Sequence, residues 1–265
     1  MSKYLAAYGL NLQEELQRRA SLVMDRLGSL TLVLSLYFLW SALLSDPNKN
    51  FLGYSRSQML TYVLGLVLLR ALVLTNRVFD LTWEIARGKI SSLLMRPVNI
   101  FAYQLSLDLS DKTVRVASAI VEISVLVLIL GAELYWPKSF SSVVLALVAT
   151  LCAMTLFYFI GLALASSGFW TAESIGFLWA SSLFMEFCSG AFFPLDVLPP
   201  AIQGALKLLP FPYLVYFPIN IYLERAGGAG IMQGFSILIG WTLAFAFLSY
   251  QLWRKGMKDY QAEGG

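Results

Sequence analysis

Runs of about twenty apolar residues, almost free of charge, recur along this chain, and no other feature limits its fold so strongly. The hydrocarbon core of a bilayer is about 30 Å thick, which a helix of roughly 20 apolar residues crosses. Six segments reach that length or nearly so: Leu27 to Leu44, Met59 to Thr75, Val116 to Tyr135, Val143 to Ser166, Ser174 to Phe193 and Ile231 to Leu252. In lipid a lone span has no partner for its backbone amides outside itself, so each must be a helix. With 58% apolar and 13% charged residues over 265 positions, the chain reads as one all-α integral membrane domain.

Six spans place both termini on one side, and the basic residues say which. Thirteen Lys and Arg lie at the amino end, between spans two and three, and at the carboxyl end; five lie in the opposite loops, and Arg70 is within a span. Both termini are therefore expected in the cytoplasm of a multi-pass protein of the cell membrane. The net charge of +3 follows from this asymmetry and does not call for nucleic acid. Histidine is absent, and Cys152 and Cys188 fall singly in apolar runs, so no metal, haem or other cofactor is argued for the chain itself.

Residues 1–26 lack the apolar centre of a signal peptide. Tyr4, Tyr8, Leu12 and Leu16 step along one side of a helix among Glu14, Glu15, Arg18 and Arg19, the pattern of an amphipathic interface helix. Glu14, Glu15 and Arg19 also spell the EExxxR of membrane-embedded prenyl-protein proteases, but those enzymes need histidines. The membrane domain is assigned to 27–253, and 254–265 to a cytoplasmic tail.

Within the domain, residues 76–115 are the long polar interruption and hold six of the nineteen Lys and Arg residues. Phe79, Trp83, Ala86, Ile90, Leu93 and Leu94 recur at helical spacing there, Gly88 weakens the helix and Pro97 ends it. Such a helix lies on the headgroups or docks a soluble partner. A second irregular stretch, 194–228, carries six of the nine prolines between Pro194 and Pro218. Too apolar for an ordinary loop and too broken to span, it is expected to form one or two short re-entrant helices.

The run Glu84-Ile85-Ala86-Arg87-Gly88-Lys89-Ile90-Ser91-Ser92-Leu93-Leu94-Met95-Arg96-Pro97 and the hairpin Gly190-Ala191-Phe192-Phe193-Pro194 followed by Leu209-Pro210-Phe211-Pro212-Tyr213 resemble ABC-2 type permeases. More narrowly they are similar to bacterial exporter permeases without a large extracellular domain, and the resemblance covers essentially the whole chain. It implies a membrane subunit that pairs with a second permease, identical or not, and with two separate ATPase subunits that bind ATP and Mg. It implies a coupling helix between spans two and three, contacting the ATPase through Glu84, Arg87, Gly88, Leu94, Arg96 and Pro97. It also implies an outer gate at Phe193, Pro194, Pro210, Phe211 and Pro212. The chain is not itself an ATPase by this reading: Gly88-Lys89 lacks the upstream glycine of a phosphate loop, Trp83 standing there.

Three charges lie within spans: Arg70, Glu122 and Glu186. An ionised group at the centre of a membrane helix costs about 2.5 to 3.5 kcal/mol on insertion scales, so each needs a partner or a function. Equal distances from the cytoplasmic ends of consecutive spans suggest an Arg70–Glu122 pair, against which stands Arg70 reaching to the headgroups. Glu186 is placed in the outer half of span five, where it either meets a substrate or bonds to a neighbouring helix. The rival functions are an ATPase-independent transporter or channel, an intramembrane enzyme, and a non-transporting assembly subunit of the same fold.

Overall fold

In the computed structural model of the protein, residues 2–44, 51–75, 77–171 and 174–260 are described. Lys49, Asn76 at the start of the expected coupling loop, and the last five residues of the expected tail lie outside them. Regular structure among the described residues is helical, apart from a single bridge between Phe51 and Tyr54.

The most deeply buried element is α3 (Arg56–Leu69), continued by one π-helical turn over Arg70–Leu74. Ser55 starts it with a capping box: its hydroxyl accepts from the amide of Gln58, whose side chain accepts from the amide of Ser55. Met59, Leu60, Tyr62, Val63, Leu64, Leu66 and Val67 are all buried, so apolar residues point in every direction. A helix that is apolar all round belongs inside a bundle. Around it pack α2 (Arg19–Leu43), α6 (Ile100–Leu130), α7 (Phe140–Ala165) and α10 (Tyr216–Tyr222), while α11 (Gly228–Asp259) packs on α7.

Among the described residues, five stretches are long and apolar enough to cross a membrane: α2, the segment Arg56–Ala86 that begins with α3, α6, the segment Phe140–Phe169 that begins with α7, and α11. The fifth expected span, Ser174 to Phe193, is shorter than expected: α8 (Ser174–Ser189) has 16 residues. At 1.5 Å per residue it covers about 24 Å, less than the bilayer core. It stops because the chain turns at Gly190, whose carbonyl accepts a hydrogen bond from the buried Tyr62 hydroxyl at 2.7 Å. The expected hairpin, 194–228, then contains two short helices, α9 (Pro200–Leu206) and α10, where one or two were expected.

At the amino end of the chain, α1 (Ser2–Gln17) lies along the first half of α6. Tyr8 bonds Thr113 at 2.8 Å, Asn11 donates to Asp111 at 2.6 Å, and Glu15 pairs with Arg77 at 3.0 Å. The docked face is therefore Tyr4, Tyr8, Asn11 and Glu15, whereas Leu5, Leu10 and Leu16 point away from the protein. Residues 100–115 of the polar interruption are not a loop but the start of α6, begun by Asn99, whose side chain accepts from the amide of Ala102.

Candidate functional site

Two short helices make up what remains of the polar interruption, α4 (Val78–Ala86) and α5 (Ile90–Leu94). Gly88 separates them with φ of +71°, a left-handed backbone that a side chain resists. Their apolar face includes Val78, Leu81, Ile85 and Ile90, buried against Tyr158, Leu162 and Ala165 of α7 and Trp253 of α11, and Leu93 is buried as well. The approach is close: a Cβ on Gly168 would lie 2.6 Å from the carbonyl oxygen of Thr82. The expected stripe is thus corrected by about one position in α4, since Trp83 faces outward and Phe79 is only partly covered.

This chain therefore consumes the greasy face itself, and the opposite face is left bare. Arg87, Lys89, Leu94, Met95, Arg96 and Pro97 are exposed, Met95 to 82%. Arg87 lies over the ring of Trp83 at 4.5 Å, while Glu84 is half-buried and Gly88 sits at the turn. Of the six sequence-selected coupling residues, Arg87, Leu94, Arg96 and Pro97 are exposed along this ridge from Arg87 to Pro97, and Gly88 forms its turn. The ridge is held from the carboxyl end: the Tyr260 hydroxyl lies 3.1 Å from the carbonyl of Gly88, to which it donates, and 3.0 Å from the Ser91 hydroxyl. Tyr260 in turn packs edge-on against Phe169.

Behind the ridge, Arg77 joins three elements. Its side chain meets Glu15 at 3.0 Å, Asp80 at 3.0 Å and Asp111 at 3.3 Å, and its amide donates to Asp108 at 3.1 Å. Lys112, buried, pairs with Asp108 at 2.7 Å. Arg77 thereby ties α4 to α1 and α6 through charged hydrogen bonds, which are stronger than neutral ones.

The intramembrane pairing differs from the one suggested by depth. Arg70 binds Glu186 at 2.9 Å and the carbonyl of Ala191 at 3.3 Å, beneath the ring of Phe192 at 5.1 Å. Glu122 is buried against Arg26 at 3.1 Å and Ser29 at 2.7 Å, both on α2. The Arg70–Glu122 proposal is overturned because helices consecutive in sequence need not present charges to each other. Depths counted from the ends of apolar runs misled as well, since α6 begins at Ile100, far before its run becomes apolar. A cavity of about 470 Å3 opens below this pair, between α4, α6 and α8.

At the other end, Asp196 gathers the outer hairpin. Its carboxylate accepts from Tyr54 and Tyr216, each at 2.6 Å, and Arg225 lies 3.8 Å away with its guanidinium 3.5 Å over the Tyr54 ring. Pro194, Pro210 and Pro212 are buried in this knot, and Phe193 and Phe211 pack edge-on against Phe187 and Phe184 of α8. Sequence reading found the hairpin but not its hub. The available signal was that Asp196 is the one acid between Pro194 and Pro218. Glu224 was missed too: Tyr135, Lys138, Ser139 and Ser142 all donate to it, at 2.7 to 3.2 Å.

With the geometry in hand, comparison with known proteins is direct. The family model described as ABC-2 family transporter protein matches residues 30–264, nearly the full chain. No curated protein matches it.

Proposed function

Since this chain belongs to the ABC-2 family of transporter proteins, we propose that it is the permease subunit of an ATP-driven exporter in the cell membrane. In this reading it works with a second permease and two separate ATPase subunits, which bind ATP and Mg, and both its termini are cytoplasmic. The observation that carries it is the bare ridge Arg87 to Pro97. Apolar Leu94, Met95 and Pro97 stand exposed among Arg87, Lys89 and Arg96 on helices whose other face is fully used. Apolar anchors ringed by charges are how docking surfaces obtain affinity and specificity.

ATP-driven closure of the ATPases would push on α4 and α5, and Arg77 would pass that movement to α1 and α6. Affinity purification of the tagged chain from its own membranes tests the proposal. An ATPase with a phosphate loop is expected to accompany it and to be lost from Leu94→Asp. If no such protein comes down, or if it binds the variant equally well, the exporter assignment fails.

A further inference from the structure

Below the intramembrane ion pair, the cavity of about 470 Å3 runs from the outward face of α4 to Glu186. Leu178, Ser182 and Glu186 line it at intervals of four residues along α8, so it runs about 12 Å along that helix. Trp179, 75% exposed, and Trp83 stand at its wall. The wall cations are neutralised, Arg77 by Glu15, Asp80 and Asp111 and Arg115 by Asp25 at 3.0 Å, and the carboxylates around Arg77 outnumber it. Glu186 is on the cavity wall, and its partner Arg70 stands behind it at 2.9 Å, backed by Phe192 and the Ala191 carbonyl.

A molecule moving past Glu186 has to part this pair. Separated ions within a membrane are strongly unfavourable unless each finds a new counter-charge. A cationic amphiphile would satisfy Glu186 and strand Arg70, and an anionic one would do the reverse. Only a ligand with both signs a few atoms apart exchanges with both ions and keeps the site neutral throughout. The tryptophans and Leu178 supply the surface for its apolar body.

We propose that this vestibule is a binding site for a zwitterionic amphiphile, whose charged ends replace Arg70 and Glu186 as each other's partners. Calling that ligand the exported cargo rests on the exporter reading, but the site itself does not.

The test uses the purified protein, with any subunit that accompanies it, in micelles of a non-ionic maltoside. Three probes share a bromododecyl tail, whose bromine quenches tryptophan on contact, and carry phosphocholine, trimethylammonium or sulfate heads. The phosphocholine probe is expected to give saturable quenching at a concentration at least tenfold lower than the other two. Replacing both ions, Arg70→Gln with Glu186→Gln, should bring the three probes within about twofold. Ser182→Phe, which fills the vestibule without altering the pair, should abolish the saturable phase and serves where the double variant does not fold. Equal affinities in the unaltered protein, a preference that survives the double replacement, or saturable quenching undiminished in Ser182→Phe would each overturn the proposal. Binding is read without nucleotide, so this site stands or falls separately from the co-purification of an ATPase.

Discussion

Glu224 shows how much a single carboxylate organises outside the membrane. Its four donors are the Tyr135 hydroxyl, the amides of Lys138 and Ser139, and the Ser142 hydroxyl, so it closes the amino end of α7 from across the chain. Those hydrogen bonds, that from Tyr135 foremost, lower its pKa to about 2, and the same bond raises the Tyr135 phenol to about 12. A carboxyl held below its ordinary value of 4.5 contributes stability above that value and loses it as pH falls towards 2. Glu224→Gln is therefore expected to lower the thermal unfolding midpoint at pH 7 and to make it less sensitive to acid between about pH 5 and 2. Midpoints of both proteins measured across that range check this; parallel curves would refute it. Residue-scale contacts of this kind were the least legible in the sequence. Arg70 and Glu186 stood out because charge inside an apolar run is costly, yet nothing in their spacing revealed that they face each other. Glu224 and Asp196 lie in loops, where a carboxylate needs no explanation until its donors are seen.

At the scale of elements, legibility followed periodicity. The apolar runs marked α2, α3, α6, α7 and α11, because burial in lipid demands a long apolar helix and leaves a plain signature. The polar first half of α6 was hidden, since polarity reports depth in the membrane and not whether a backbone is helical. The turn between α4 and α5 was readable in part: Gly88 marked the break, but the partner that holds it comes from the far end of the chain. Tyr260→Phe keeps the ring on Phe169 and removes the hydroxyl from the Gly88 carbonyl and Ser91. One neutral hydrogen bond is worth about 1 kcal/mol, roughly a fivefold change in an equilibrium. Amide exchange over residues 87–95 should rise by about that factor, with ATPase still bound and less transport per ATP. Gly88→Ala acts on the same turn through its backbone, since the nearest atom to a new Cβ is the Tyr260 hydroxyl at an easy 3.8 Å. The left-handed conformation then costs about 1 to 2 kcal/mol, and Gly88→Ala is expected to uncouple at least as strongly as Tyr260→Phe. Transport and hydrolysis measured together in the assembled complex separate these outcomes from simple loss of binding.

For the molecule as a whole, the two ends differ in kind. At one end the vestibule is open beside α4 and reaches Glu186; at the other, Asp196 draws four segments together. Tyr54 follows the described start of the first outer loop, Tyr216 begins α10, and Arg225 reaches from beyond α10 to the carbonyls of Leu52 and Gly53. A carboxylate that accepts two hydroxyls at 2.6 Å and faces a guanidinium is worth more than the sum of neutral contacts, each charged hydrogen bond contributing about 1.5 to 3 kcal/mol. The packing of this end therefore depends on one negative charge, and an exporter that opened here by alternating exposure would have to break this knot once in each cycle. Asp196→Asn keeps the shape and removes the charge, leaving an amide hydrogen where Tyr54, Tyr216 or Arg225 also brings one. Exchange of amides in residues 195–214 is expected to increase more than tenfold, while the distant ridge at 87–97 exchanges as before. In the assembled complex, hydrolysis should persist with transport reduced, because an outer gate that no longer closes lets cargo return. Should the hairpin exchange no faster in Asp196→Asn, the knot is not what closes the outer end, and packing of Phe193 and Phe211 on α8 would have to do so instead.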